Sequence, residues 1–72
     1  MNRVAETRAR LVKEDSHFRR LVEEHQAFEE RLGQLQGRRW LSEEEQLEEV
    51  KLKKKKLALK DEMETILRRS AG

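Results

Sequence analysis

The sequence predicts an all-α fold: an antiparallel, coiled-coil-like hairpin of two long helices with a short N-terminal helical extension, which self-associates. The first observation behind this prediction is a run in which apolar residues recur at steps of three and four positions, the spacing of one helix face. The second is a glycine-containing break followed by a helix-start signal, which predicts a turn between two helices. The third is a second helical run with apolar residues on two opposite sides, which needs two packing partners.

The size and composition of the chain favour assembly. Its 72 residues make a single domain, 1–72, and a chain this short buries only about 60% of its unfolded surface. Small domains commonly gain support from disulfides, metals or oligomerisation, and the absence of Cys excludes disulfides. Charged residues make up 44% of the chain and hydrophobic residues 35%, a balance that suits long exposed helices. We therefore expect a homo-oligomer, with room for a further, unidentified protein partner.

Residues 1–14 form the predicted N-terminal helical segment. Val4 and Leu11 lie seven positions apart, but the segment has few apolar anchors, so we expect it to fray or to dock loosely. Asp15 and Ser16 are frequent helix caps. They predict either a kink or a stop followed by a new helix start.

The first long helix is predicted over residues 17–36. A heptad seam runs through this helix and the segment before it. Val4, Leu11, Phe18, His25 and Leu32 repeat every seven residues, and Leu21, Phe28 and Leu35 lie three residues after the last three of them. Gly33 either allows a close helix approach or is tolerated at a cost of about 1 kcal/mol relative to Ala.

Residues 37–42 form the predicted turn. Gly37 fits the position just past a helix end, where φ is often positive. Trp40 is expected to fold back on Leu35 and Leu47 and to close the end of the hairpin. The alternative interpretation of this tryptophan is an exposed interaction site.

The second long helix is predicted over residues 43–69. Ser42 and Glu45 form a capping box, in which each side chain bonds the backbone amide of the other residue. Glutamates in the first turn and arginines in the last complement the helix dipole. Residues 70–72 are expected to be loose.

The second helix carries two apolar sides. One side gathers Leu52, Leu59, Met63, Ile66 and Leu67, and the other gathers Leu47, Val50, Leu57 and Ala58. With the first side turned inward, counting from the turn pairs Phe28 with Leu52, Leu21 with Leu59, Phe18 with Met63, and Leu11 with Ile66 and Leu67. The predicted hairpin core is Phe18, Leu21, Phe28, Leu32, Leu52, Met63 and Ile66.

The remaining apolar residues predict a surface for an oligomer or a partner. The residues assigned to it are Leu47, Val50, Leu57 and Leu59. The two sides of the helix could exchange roles, and the sequence does not decide between them.

Six lysines in the second helix form the strongest charge cluster. They are Lys51, Lys53, Lys54, Lys55, Lys56 and Lys60. They predict an alternative function, a nucleic-acid-associated protein in which Lys53, Lys54, Lys55 and Lys56 contact phosphates. Successive lysines diverge by about 100° around the helix, no aromatic residue is interleaved with them, and the net charge is only +2. A solvated or partner-facing surface is therefore the preferred interpretation.

No residue pattern predicts catalysis, a metal site or a cofactor. His25 lies on the apolar seam without companion ligands, and we expect it to be half-buried and hydrogen-bonded to a carboxylate or carbonyl. A thin hairpin offers no cleft that would desolvate Asp61 or Glu62 for acid–base work. The expected molecule is a non-enzymatic interaction module. The lack of a long apolar run and of a signal-peptide segment argues against a membrane span and favours the cytoplasm.

Three stretches carry a resemblance to a known family. They are Ser16-His17-Phe18 with Leu21, then Glu24-His25, and then the run from Leu52 to Glu62, LKKKKLALKDE. Together they resemble the small bacterial YdcH-like family of unknown function. Members commonly carry Pro before the His-Phe pair, where this chain has Ser16. The resemblance implies a short helical hairpin and a bacterial origin, and it implies no activity.

Overall fold

The chain folds into three α-helices. The structure is a computed structural model that describes residues 3–71. Helix α1 spans Arg3–Glu14, α2 spans Ser16–Gln36 and α3 spans Glu43–Ala71. Within these residues no β-strand occurs, so the predicted all-α class is confirmed.

The junction between α1 and α2 is a stop followed by a new start, the second of the two predicted alternatives. Asp15 has an extended backbone, with φ −114° and ψ 105°, and acts as the N-cap of α2. Its carboxylate oxygen Oδ1 accepts hydrogen bonds from the amides of His17, at 3.0 Å, and Phe18, at 3.1 Å. One aspartate therefore satisfies two of the amides that the first turn of a helix leaves without partners.

Helix α2 ends at Gly37 without the positive φ that was expected there. The φ of Gly37 is −77° and its ψ is −10°, so the prediction of a left-handed glycine was wrong. The Gly37 amide donates to the carbonyl of Gly33 at 3.0 Å, and the next amide, of Arg38, donates to Leu35 at 3.2 Å. The last turn of α2 is therefore tightened but still right-handed. Residues other than glycine can adopt the same φ.

Helix α3 begins with the predicted capping box. The amide of Glu45 donates to Ser42 Oγ at 3.2 Å, and the amide of Ser42 donates to Glu45 Oε1 at 3.1 Å. The other end differs from the prediction, because the helix continues through Ser70 to Ala71 instead of ending at residue 69. No Gly or Pro interrupts α3 before its last residue, so nothing in the sequence breaks it earlier. Residues 1, 2 and 72, which the predicted segments included, lie outside the described residues.

Helices α2 and α3 pack side by side in opposite directions. His17, in the first turn of α2, contacts Glu62 near the end of α3, with 3.0 Å between Nε2 and Oε1. Arg31, near the end of α2, pairs with Glu48 near the start of α3. Contacts that join the start of one helix to the end of the other give an antiparallel arrangement.

The core consists of two clusters along this pair. The distal cluster, far from the turn, contains buried Leu11, Phe18, Leu21 and Met63, with Val12, Val22, Leu59, Ile66 and Leu67 packed against it. The proximal cluster, next to the turn, contains buried Leu32, Leu35 and Leu52, with Phe28 and Leu41 packed against it. The inner side of α3 is therefore the side with Leu52, Leu59, Met63 and Ile66, and the residues grouped in each cluster agree with the predicted register.

Helix α1 fills the length by which α3 exceeds α2. At 1.5 Å per residue α3 is about 43 Å long and α2 about 31 Å, and the longest dimension of the fold is 44 Å. Helix α1 contacts both other helices and buries Thr7 and Leu11. Thr7 follows Val4 by three positions and precedes Leu11 by four, so it continues the seam with a hydroxyl where the pattern otherwise has an apolar side chain. The segment is therefore helical from Arg3 onward and is docked on the hairpin through Thr7 and Leu11.

The most deeply buried aromatic residue offers a direct test of the core. Phe18 is fully buried, and its replacement by Ala removes about 3–5 kcal/mol. A chain of this size has a total free energy of unfolding of about 4–11 kcal/mol. We expect Phe18→Ala to lose most of its thermal stability, measured by the far-ultraviolet circular dichroism of the helices at one protein concentration. Gln26→Ala, at an exposed site of α2, is the control. Equal melting temperatures for the two variants would contradict the burial of Phe18 in the core.

The N-cap of α2 at Asp15 allows a second test, in which we expect a smaller change in the free energy of unfolding. Asp15→Ala removes the acceptor of two amide hydrogen bonds, and we expect a loss of about 1 kcal/mol in the free energy of unfolding. Asp15→Asn keeps a side-chain oxygen and is expected to lose much less. Urea denaturation of the two variants beside the parent measures both, and an unchanged midpoint for Asp15→Ala would show that the cap is dispensable.

Candidate interaction surface

Three large apolar residues of α3 are exposed outside the core. They form what we call the outer face: Leu47, Val50 and Leu57. Their exposed fractions are 56%, 49% and 60%. The core uses the opposite side of the same helix, so folding settles which of the two apolar sides turns inward. Full burial of such a side chain is worth about 1.5–3 kcal/mol, and the single chain, which leaves about half of each side chain exposed, realises only about half of that.

Leu59 lies elsewhere. It was assigned to the same surface as the outer face, but it is half-buried and packs against the distal cluster. The physical reason is its angle: at 100° per residue Leu59 lies about 160° from Leu57, close to Leu52 and Met63. It belongs to the hairpin core in this structure.

A shallow groove runs beside Leu57 between α2 and α3. Its volume is about 500 Å³, and it is lined by Glu29, Leu32, Gly33, Gln36, Lys53, Lys56, Leu57 and Lys60. A Cβ added to Gly33 would meet no atom within 4 Å. Gly33 therefore does not bring the two helices together, which was one of its two predicted roles. Its missing side chain leaves the groove open on the α2 side.

The lysine cluster is divided between contacts within the chain and solvent. Lys53 pairs with Glu49 at 3.1 Å, and Lys56 pairs with Glu29 of α2 at 3.1 Å. The ammonium group of Lys55 lies 5.9 Å from the centre of the Phe28 ring. Three of the six lysines thus have partners in the fold, and the others do not share one side of the helix. This arrangement does not favour a phosphate-binding surface, which requires charges aimed in one direction.

Two ion pairs connect α2 to α3 around the middle and the turn end of the hairpin. Arg31 donates to Glu48 through Nε at 3.0 Å and through one terminal nitrogen at 2.9 Å, a two-point pairing. This hydrogen-bonded pair holds the pKa of Glu48 below its ordinary value and raises the pKa of Arg31. The bond from Lys56 likewise lowers the pKa of Glu29. These shifts keep both carboxyls ionised, the opposite of what a general acid at neutral pH requires.

The histidine that has a side-chain partner is not the one that the sequence predicts. His25 is half-buried, as expected, but within residues 3–71 its ring makes no hydrogen bond to a carboxylate or carbonyl. The paired histidine is His17, which contacts Glu62 in an exposed position. In an antiparallel pair, the register that places Phe18 near Met63 puts His17 level with Glu64, so counting along the sequence does not identify Glu62 as its partner.

Trp40 does not close the hairpin. It is 78% exposed, so the prediction that it folds back on Leu35 and Leu47 was wrong. Leu41 takes that position and packs against the proximal cluster, while its carbonyl accepts from the side chain of Gln46 at 3.2 Å. Adjacent residues of an extended turn point in different directions, so only one of the two can turn inward.

The described residues also bear on metal binding and on membrane crossing. In residues 3–71 no group of three or more His, Asp or Glu side chains is arranged to hold a metal ion. Over the same part of the chain, no helix has both the length and the apolar character that crossing a bilayer requires.

Comparison with models of protein families shows which family the chain belongs to. A family model for DUF465, described as a protein of unknown function, matches residues 18–67. The chain belongs to the DUF465 family. The YdcH-like resemblance noted in the sequence is consistent with this assignment. Neither a curated protein nor a solved structure matches the chain.

The DUF465 match covers the hairpin that the structure shows. It runs from Phe18, at the start of α2, to Leu67, near the end of α3, and so leaves out α1. Both core clusters take most of their residues from this region, whereas the outer face lies entirely inside it. The structure also explains how Ser16 can replace the proline common in the YdcH-like pattern. Ser16 is the first helical residue after the Asp15 cap, a position at which proline is favoured but not needed.

The Glu48 and Glu29 ion pairs predict a loss of stability in acid. The pKa of each carboxyl is lower in the folded chain than in the unfolded chain, so each pair stabilises the fold above the ordinary carboxyl pKa. This contribution is lost as the pH falls through the folded value. We expect the urea midpoint of the parent chain to fall between about pH 5 and pH 3.

The variant Glu48→Gln isolates one of these pairs. It should be less stable than the parent at pH 7 and should lose less on acidification, because it has already lost the Arg31 pair. Glu30→Gln, at an exposed site of α2, is the matched control and should follow the parent at both pH values. Identical acid sensitivity in Glu48→Gln and the parent would show that the pair does not contribute.

Proposed function

We propose that this chain is a non-enzymatic protein-interaction module that assembles through the outer face of α3. The observation that carries the proposal is the exposure of Leu47, Val50 and Leu57 on the side of α3 that faces away from both core clusters. Three large apolar side chains within eleven positions of one helix are a patch that a second helix can cover. The first partner to consider is another copy of the chain, and a different protein remains compatible with the same surface.

The overall dimensions support this proposal. The chain has an accessible surface of 5826 Å², whereas a compact monomer of its mass has about 4,700 Å². Its radius of gyration is 14.8 Å, against about 11 Å for a compact chain of this length. The excess surface, about 1,100 Å², is similar to the roughly 800 Å² that each partner buries in a stable interface.

The charged groups support a binding role over a catalytic one. The carboxyls of Asp61 and Glu62 are exposed to solvent and are not enclosed in a site of the kind that acid–base catalysis uses. Among the described residues, the carboxyls whose pKa is clearly shifted are Glu29 and Glu48, and both are shifted downward by ion pairs. The description of the DUF465 family names no activity that would argue otherwise.

The mass of the protein in solution tests the proposal. We expect sedimentation at micromolar concentration to give a mass above the 8.7 kDa of one chain. Leu57→Asp places a charge on the most exposed residue of the outer face and should dissociate the assembly. Because Leu57 is exposed in the single chain, the helical circular dichroism of this variant should persist.

Ala27→Asp provides the matched control, because it puts the same charge on an exposed position of α2 away from the outer face. It should leave the assembled mass unchanged. A parent protein that stays monomeric at high concentration would remove the proposed function.

A further inference from the structure

The outer face is part of a longer seam on α3. Seven residues follow one another at alternating steps of three and four positions: Leu47, Val50, Lys54, Leu57, Asp61, Glu64 and Arg68. At 100° per residue they lie within a stripe about 100° wide, the geometry of a helix that packs along one partner helix. The first half of the stripe is mainly apolar, and the second half is charged.

Charges along α3 alternate in blocks. Glutamates dominate positions 43–49, lysines dominate 51–60, acidic residues return at 61–64, and Arg68 and Arg69 end the helix. Two copies of α3 aligned in parallel would place each block opposite itself, with Lys54 facing Lys54 and Asp61 facing Asp61. Like charges directly opposite each other oppose association. An antiparallel alignment can instead place lysines opposite acidic residues.

We propose that the outer face is covered by a second copy of this chain, with the two α3 helices antiparallel and Lys54 of each copy opposite Asp61 of the other. This proposal rests on the proposed function and specifies its partner. The two-fold axis passes between positions 57 and 58, so the two Leu57 side chains meet beside it. Leu47 lies level with Arg68 of the second copy and Val50 level with Thr65, so the aliphatic stem of the arginine and the methyl group of the threonine cover them. Lys51 then faces Glu64 of the second copy, and the acidic start of each α3 faces the basic end of the other.

The contacts within one chain leave the central charges available for this pairing. Within residues 3–71, neither Lys54 nor the Asp61 side chain takes part in an ion pair or hydrogen bond. Both are exposed and lie seven positions apart on one side of α3, too far apart to pair with each other. The antiparallel dimer gives both of them a partner twice, because a two-fold interface repeats every contact.

A charge-reversal cycle tests the alignment. We expect Lys54→Asp alone, or Asp61→Lys alone, to raise the dimer dissociation constant roughly tenfold at low salt, because each creates two repulsive pairs. The double variant Lys54→Asp with Asp61→Lys restores opposite charges across the antiparallel interface and should recover most of the affinity. In a parallel dimer the double variant would restore nothing, because it would again place like charges opposite each other.

Matched controls make the outcomes distinguishable. Lys60→Asp, an exposed lysine of α3 outside the seam, should change the dissociation constant much less than Lys54→Asp. Circular dichroism checks that each variant is folded, and sedimentation equilibrium measures the dissociation constants. A dimer whose affinity is the same in both single variants and the double variant would overturn the antiparallel alignment while leaving self-association in place. A protein that is monomeric throughout would overturn the proposed function and this alignment together.

Cysteine cross-linking gives a second measurement, since the natural chain has no Cys. In the antiparallel dimer, Lys54→Cys with Asp61→Cys in one chain should form a disulfide-linked dimer, because each Cys meets the other position of the second copy. Within one chain the two sites are about 10 Å apart along the helix, beyond the Cα separation of a disulfide. The single variants should not cross-link, and efficient cross-linking of Lys54→Cys alone would contradict the alignment.

Discussion

Burial of the α2 seam against one side of α3 is the interaction on which the rest of the structure depends. It brings Phe18, Leu21 and Met63 together in the distal cluster and Leu32 and Leu52 together in the proximal cluster. Once that side of α3 is used, α2 cannot reach the opposite side. The exposure of Leu47, Val50 and Leu57 is therefore a consequence of how the core forms, because one neighbouring helix covers only about one face of a long amphipathic helix.

Electrostatic contacts reinforce this arrangement without creating it. The ion pairs that cross between α2 and α3 lie at the border of the apolar contacts and remain partly exposed, as the pair of Arg31 and Glu48 shows with 38% exposure on each side chain. Pairs of this kind contribute little individually, since solvent screens them. Their larger effect is on the alignment of the two helices, because a shift by one helical turn would separate the paired groups.

Much of the fold could be predicted because its signals are local. The capping box of α3, the cap formers at Asp15 and Ser16, and the spacing of the seam each depend on residues close together in the sequence. The sequence does not decide which side of α3 faces α2, since both sides carry leucine and only the packing of complete helices selects between them. The turn was predicted less well: the choice between Trp40 and Leu41 depends on backbone directions that composition does not determine.

The separation of the core into two clusters has a consequence for how the sequence can vary. Between the clusters, α2 carries half-buried His25 and the facing part of α3 carries Lys55 and Lys56, and the buried apolar residues on either side form two separate groups. Changes in residues that share no contacts add independently in their effect on stability. Each end of the hairpin can therefore accumulate compensating substitutions by itself, and neutral drift near the turn need not be matched by drift near α1.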